Sequence, residues 1–160
     1  MSLVKHALIL VPVLAVAACS GGSSAKTGAA KADYLAKAEV ICAKAVKDKD
    51  ALKKPMSSAE FGTYVHALVG IADSATTALS ALTPPAEDKA ELDKEILDPL
   101  RKQLVTAHQF DLDVTKAVKA NDQVALTKLL GDAPTKTVAD LDFMRKYGFK
   151  GCVTLADTGS

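Results

Sequence analysis

The segment from Ser57 to Pro85 constrains this chain more than any other. Ser57-Ser58-Ala59-Glu60 has the form of a capping box, in which Ser57 and Glu60 close each other's exposed N–H groups. Phe61, Tyr64, Val65, Leu68, Ile71, Ala72, Ala75, Ala78, Leu79 and Leu82 then recur at spacings of three and four, which is the signature of a helix with one apolar face. Pro84-Pro85 ends it, since proline lacks the N–H a helix interior needs. Any fold built around such a helix must supply apolar partners along its whole length.

The rest of the chain offers those partners as further helices. Helix 1 is expected over roughly Asp33 to Lys54, before Pro55. Helix 3 starts near Ala86, with Glu87, Asp88 and Glu91 suited to the positive end of its dipole. Leu92, Ile96, Leu100 and Leu104 keep one phase through Pro99, which predicts a kinked helix continuing to about Ala120. The competing reading is a break, with Asp98 as N-cap and Pro99 in the first turn. Asn121-Asp122 punctuates the chain, a short helix 4 runs from Asp122 to Leu130, and Gly131 is placed for a left-handed cap. Helix 5 covers about Pro134 to Tyr147, with Val138, Leu141 and Met144 inward, and closes at Gly148. The tail Phe149 to Val153 brings Cys152 back to helix 1. No segment alternates with period two for long enough to make a sheet, and no repeat of 20 to 50 residues is present. Long helices joined by short loops pack as antiparallel neighbours. The expected fold is therefore all-α, an antiparallel four-helix-bundle-like domain with one short extra helix.

The first twenty residues read as an address. Lys5 gives positive charge, an apolar run follows from Ala7 to Ala18, and Val16-Ala17-Ala18-Cys19 resembles the lipobox of bacterial lipoproteins. The run is too short for a spanning helix, which needs about 20 apolar residues, and Pro12 interrupts it. An ordinary secretory signal cut after Ala15-Val16-Ala17 is the alternative. Cys19 directly after the small residues, followed by a Gly- and Ser-rich stretch, favours acylation of its sulfur. A dozen such residues reach about 20 Å, enough for a folded domain to clear a bilayer surface. The expected division is a signal peptide over 1–18, lipidated Cys19 and a flexible tether over 19–32, and a helical domain over 33–160.

Charge and cysteines narrow the classes further. The leader carries Lys5 and no acidic residue, so the mature chain holds 19 basic and 19 acidic residues. That balance argues against a nucleic-acid binder and gives no electrostatic pull toward anionic lipid. Aromatic stacking has few candidates: Tyr34, Phe61, Tyr64, Phe110, Phe143, Tyr147 and Phe149. With Cys19 acylated, Cys42 and Cys152 remain in an oxidising compartment and form a pair. Leu35, Ala38, Cys42 and Ala45 share one helical stripe, so Cys42 faces the core. The bridge closes a loop of about 110 residues, worth on the order of 4 to 5 kcal/mol in the chain-entropy picture.

The order of lipobox, first-helix Cys42, Leu79-Ser80-Ala81-Leu82-Thr83-Pro84-Pro85, a long helix ending in Asn121-Asp122, and Tyr147-Gly148-Phe149 before Cys152 resembles small helical lipoproteins and secreted proteins of actinobacteria. The resemblance implies fold and compartment and carries over no catalytic residue.

Reactive side chains lack a setting in the sequence. His66 falls opposite the Phe61/Leu68/Ile71 stripe and reads as a surface residue, while His108 sits at the edge of the helix 3 stripe within reach of a hydrogen bond inside the bundle. No spacing of these two suits zinc or a di-iron centre. Asp111-Leu112-Asp113 resembles the start of a calcium loop, but Lys116 and Asp122 stand where glycine and a bidentate glutamate belong. Asp111, Asp113, Asp140 and Asp142 therefore read as a solvated face. Lys44, Lys47, Lys49, Lys53 and Lys54 suit the end of helix 1. There is no nucleophile elbow or phosphate loop, and no cofactor is expected.

Two readings follow. The first is a non-enzymatic, lipid-anchored module at the outer side of the cell membrane or in the envelope, docking or supporting another envelope protein. The second is a carrier holding a small apolar molecule or lipid between its helices. Gly62, Gly70, Ala72, Ala75 and Ala78 on helix 2 serve either, because small residues draw helices together or leave room between them. An apolar cavity above roughly 300 Å³ is the observation that separates the two.

Overall fold

The computed structural model describes residues 22–133 and 139–157; Cys19 and the signal-like segment lie outside the described residues. Every regular element is helical among these residues: α1 (Gly22–Asp50), α2 (Ser58–Ser80), α3 (three continuous stretches, Lys89–Leu92, Asp93–Leu97 and Asp98–Lys119), α4 (Gln123–Gly131), α5 (Leu141–Tyr147) and α6 (Gly151–Asp157). The chain is all-α and bundle-like. α2 lies between α1 and α3, α6 packs on α1, α4 packs on α3, and α5 rests against α6.

Local chemistry explains most boundaries. Ser57 Oγ accepts the Glu60 N–H at 3.2 Å, while the Glu60 carboxylate reaches past Ser57 to accept the N–H of Met56 at 2.7 Å. The capping box thus closes one residue further out than the motif implies. α4 and α5 start on aspartates: Asp122 accepts from Ala125 at 2.9 Å and Asp140 from Phe143 at 2.8 Å. Asn121 takes a positive φ of 52°, and the N–H groups of Asn121 and Asp122 return to the carbonyls of Val118 and Ala117. That pairing is a Schellman closure, and asparagine is the side chain that best tolerates it after glycine.

Several boundaries differ from those the sequence suggests. α1 starts at Gly22, because Ala29, Ala30 and Ala32 propagate a helix already pinned further along, where Lys31 sits over the Tyr147 ring at 3.8 Å. It ends at Asp50, four residues earlier than expected. Gly131 is not a left-handed cap: it is the last residue of α4, and among the described glycines Gly148 alone has positive φ, at 115°. α5 starts at Leu141, while 134–138 lie outside the described residues. The tail is helical from Gly151, since the Glu39 carboxylate on α1 accepts the N–H groups of Lys150 and Gly151 at 2.7 and 2.6 Å. A carboxylate at a helix start satisfies donors that otherwise have no partner.

Pro99 neither breaks α3 nor needs a cap at Asp98. Leu92, Asp93, Leu97 and Asp98 all keep right-handed helical angles, and the Asp98 N–H reaches the Asp93 carbonyl across a π-turn. Pro99 has no N–H to offer the carbonyl four residues back, Glu95. That freed carbonyl accepts the N–H of Asp140 at 3.1 Å, so the missing bond of α3 becomes the docking point for α5.

Two apolar clusters result. One gathers Tyr34, Ala38, Cys42, Leu92, Met144, Tyr147, Phe149 and Cys152 around the disulfide. The other sits between α2, α3 and α4 and holds Val65, Val69, Val114, Ala117 and Leu126.

Candidate functional site

The expectation that α2 spends its apolar stripe on packing holds for only part of it. Its buried positions are Gly62, Val65, Val69, Thr76 and Leu79. Gly62 lets α2 lie against α3, since a Cβ there would come within 3.3 Å of Val118. Phe61, Tyr64, Leu68, Ile71 and Ala75 are half-buried, because they line a cavity of about 470 Å³ framed by α1, α2 and α3. Leu100, Leu104, Ala107 and Phe110 face it from α3, Cys42 and Ala45 from α1, and Met144, Cys152 and Leu155 from the two last helices. Small side chains at Ala72 and Ala75 leave the room that larger ones would fill.

Among the residues lining the cavity one is charged, Lys49. Of the five lysines that the sequence assigns to the end of helix 1, Lys44, Lys47, Lys53 and Lys54 are exposed, and Lys49 is half-buried. Gln103 and Thr76 add the few polar atoms. The size and lining fall in the range typical of small-molecule sites, which are mostly apolar with a few placed polar groups.

The other candidate residues are dispersed. Cys42 and Cys152 form the expected disulfide, with Cα atoms 4.9 Å apart and both residues buried. His66 is exposed as expected, but it pairs with Asp111, its Nδ1 lying 2.8 Å from Oδ2. Asp111 corrects the reading of a solvated face: its side chain is 11% exposed against 79% for His66, and its Oδ1 is buried without a hydrogen-bond partner. α3 turns Asp111 toward α2, a consequence of packing that spacing alone does not reveal. Asp113 accepts from Gln109, Asp140 caps α5, and Asp142 pairs with Arg145 on the surface. His108, expected within reach of a hydrogen bond inside the bundle, is exposed instead, its Nε2 lying 4.0 Å from Asp73 on α2, beyond hydrogen-bond distance. Among the described residues no group of three or more His, Cys, Asp or Glu is arranged to hold a metal.

Four of the seven aromatic residues meet at the disulfide end. Phe143, Tyr147 and Phe149 stack in sequence, and Tyr34 meets Tyr147 and Phe149 edge-on. The Tyr147 hydroxyl donates to Asp88 at 2.6 Å. Burial, then that bond, holds the hydroxyl well above the usual tyrosine range; burial and the charge of Asp93 raise Tyr34 as well. Both groups are structural and lie outside the cavity lining.

Comparison with protein families, with curated proteins and with solved structures finds no match. Among the described residues no helix is long and apolar enough to cross a membrane.

Proposed function

We propose that this chain is an exported, non-enzymatic helical module, anchored by lipid on Cys19, that carries an apolar ligand between α1, α2 and α3. The carrying observation is the cavity of about 470 Å³, lined almost wholly by aliphatic and aromatic side chains, with Lys49 the one charged residue among those lining it. Tight packing is the ordinary fate of an apolar helix face, and here the face of α2 bearing Leu68, Ile71 and Ala75 is left half-buried. The anchor reading is supported by Val16-Ala17-Ala18-Cys19 and by the pairing of the remaining two cysteines.

The alternative, an envelope protein as partner, draws on Val105 and Leu112, which are exposed and seven residues apart on one face of α3. Two apolar residues make a small patch, and single exposed ones are common on any protein surface.

The deciding experiment is native intact mass of the protein extracted gently from its own membrane, repeated after denaturation and after reduction with thiol alkylation. The expected result is an acylated chain starting at Cys19, two thiols that appear only on reduction, and a small mass lost on denaturation. A chain starting at Ala18 without lipid would overturn the anchor. A bare native mass would overturn the carrier and leave the docking reading.

A further inference from the structure

The α1–α2 loop and the start of α4 hold the two most exposed large apolar side chains among the described residues. Met56 is 92% exposed and Val124 82%. The Gln123 amide donates to the Ser58 hydroxyl at 3.1 Å, so the residue next to Val124 is bonded to one two places from Met56. α1 ends at Asp50 rather than near Lys54, which puts Lys53 and Lys54, both exposed, in the loop just before Met56. The end of α3 comes to the same place, since Val118 lies against Gly62, and it adds exposed Lys116 and Lys119.

The even charge balance of the mature chain conceals this local arrangement. Lysines in the last turn of a helix suit its negative end, which accounts for Lys116 and Lys119, just as Glu60 and Asp122 suit the starts of α2 and α4. Lys53 and Lys54 stand three and four residues past the end of α1, where no helix end explains them. A protein partner needs about 800 Å² of surface on each side, far more than two apolar side chains supply. A bilayer needs no matched surface. A short apolar tip enters the headgroup layer, and each lysine near anionic phosphates strengthens the contact about fivefold. We propose that this end of the bundle is a second membrane contact, in which Met56 and Val124 enter an anionic bilayer and Lys53 and Lys54 bind its phosphates. The proposal makes no use of the cavity. Combined with the lipid proposed on Cys19, three residues before α1, it lays the ~43 Å of α1 along the bilayer.

The chain contains no Trp, so Met56→Trp places a single fluorophore at the tip without disturbing a packed site. The full acylated chain is added to phosphatidylcholine vesicles and to equimolar phosphatidylcholine–phosphatidylglycerol vesicles, each with brominated lipid tails as quencher. Co-sedimentation with the phosphatidylcholine vesicles reads the Cys19 anchor and quenching reads the tip, so the two readings fail separately. Met56→Trp is expected to be quenched in the phosphatidylglycerol vesicles, weakly in phosphatidylcholine alone, and less as salt is raised. Adding Lys53→Gln or Lys54→Gln should lower the ratio of inserted to free tip about fivefold each. Val105→Trp, at an exposed position in the middle of α3, should stay unquenched, since α2 lies between α1 and α3. Absence of quenching in Met56→Trp with the chain bound to the vesicles would overturn the contact. Equal quenching in the two vesicle types would overturn the role of the lysines, and equal quenching of Val105→Trp would overturn the assigned face.

Discussion

The two ends of this molecule solve the same packing problem in opposite ways. Around Cys42–Cys152, α1, α5, α6 and the π-turn of α3 crowd together, and Ala38, Cys42 and Leu92 are almost completely buried. Along the middle of α2, equally apolar residues such as Leu68 and Ile71 face a cavity and stay half-buried. Hydrophobicity is similar in the two regions, so it does not decide between them. The difference lies in partners: the disulfide end receives α5 and α6, tied by a covalent bond, the Asp140–Glu95 backbone bond and the Glu39 cap. The middle of α2 meets both α1 and α3, and among the described residues these do not fill the space beside Leu68 and Ile71. The returning helices fill the space around the disulfide and also supply one part of the cavity wall, through Met144, Cys152 and Leu155.

The largest test of this contrast is removal of the staple. Replacing Cys42 and Cys152 together by serine is expected to cost about 2 to 5 kcal/mol, read as the urea midpoint with and without reductant. A loss far below that range would mean the aromatic cluster and the Glu39 cap hold the end unaided.

Enlarging one alanine in each region separates them next. Ala38→Leu, at a fully buried site, is expected to lower stability by about 1 to 3 kcal/mol through overpacking. Ala75→Leu, facing the cavity, is expected to be neutral or to add about 0.5 to 2 kcal/mol, while abolishing the ligand mass retained in native spectra. Equal destabilisation by the two would show the cavity region to be as tightly packed as the stapled end.

A smaller effect is expected at Asp111. Its pairing with the exposed His66 is worth up to about 1 kcal/mol, whereas a buried oxygen without a partner costs about 1 to 3 kcal/mol. Asp111→Leu should therefore raise the melting temperature by a few degrees, and a fall would assign the carboxylate a partner that offsets its burial.

The smallest effect is a pH dependence at the aromatic end. Tyr147 and Tyr34 titrate higher in the folded chain than the ordinary value of 10.0. Their contribution is fully present below pH 10 and is lost as pH rises beyond it, because the unfolded chain gives up those protons first. Tyr147→Phe should flatten the decline in urea midpoint on the alkaline side. An unchanged slope would place the alkaline sensitivity elsewhere.

Much of this architecture was legible in local sequence. The Ser57 cap, the Asn121-Asp122 closure, Gly148 and the stop at Pro84-Pro85 depend on backbone chemistry within a few residues, and so does the period that marks α2 as a helix. The Cys42–Cys152 pairing followed from helical phase and cysteine arithmetic. Gly131 misled because glycine permits a left-handed cap without requiring one. Asp111 misled because a spacing of two within a helix says nothing about which face the neighbouring helix covers.

By itself the sequence determined that the chain forms helices, where most of them stop, and that one disulfide closes them, since propensity, capping and proline act over a few residues. Tertiary structure alone decided which side of α2 packs and which stays open, that the carbonyl freed by Pro99 receives Asp140, and that Lys49 among five lysines stands at the cavity. Those outcomes depend on how rigid helices of fixed shape meet. Packing leaves space wherever the side chains of three helices do not add up to the volume between them.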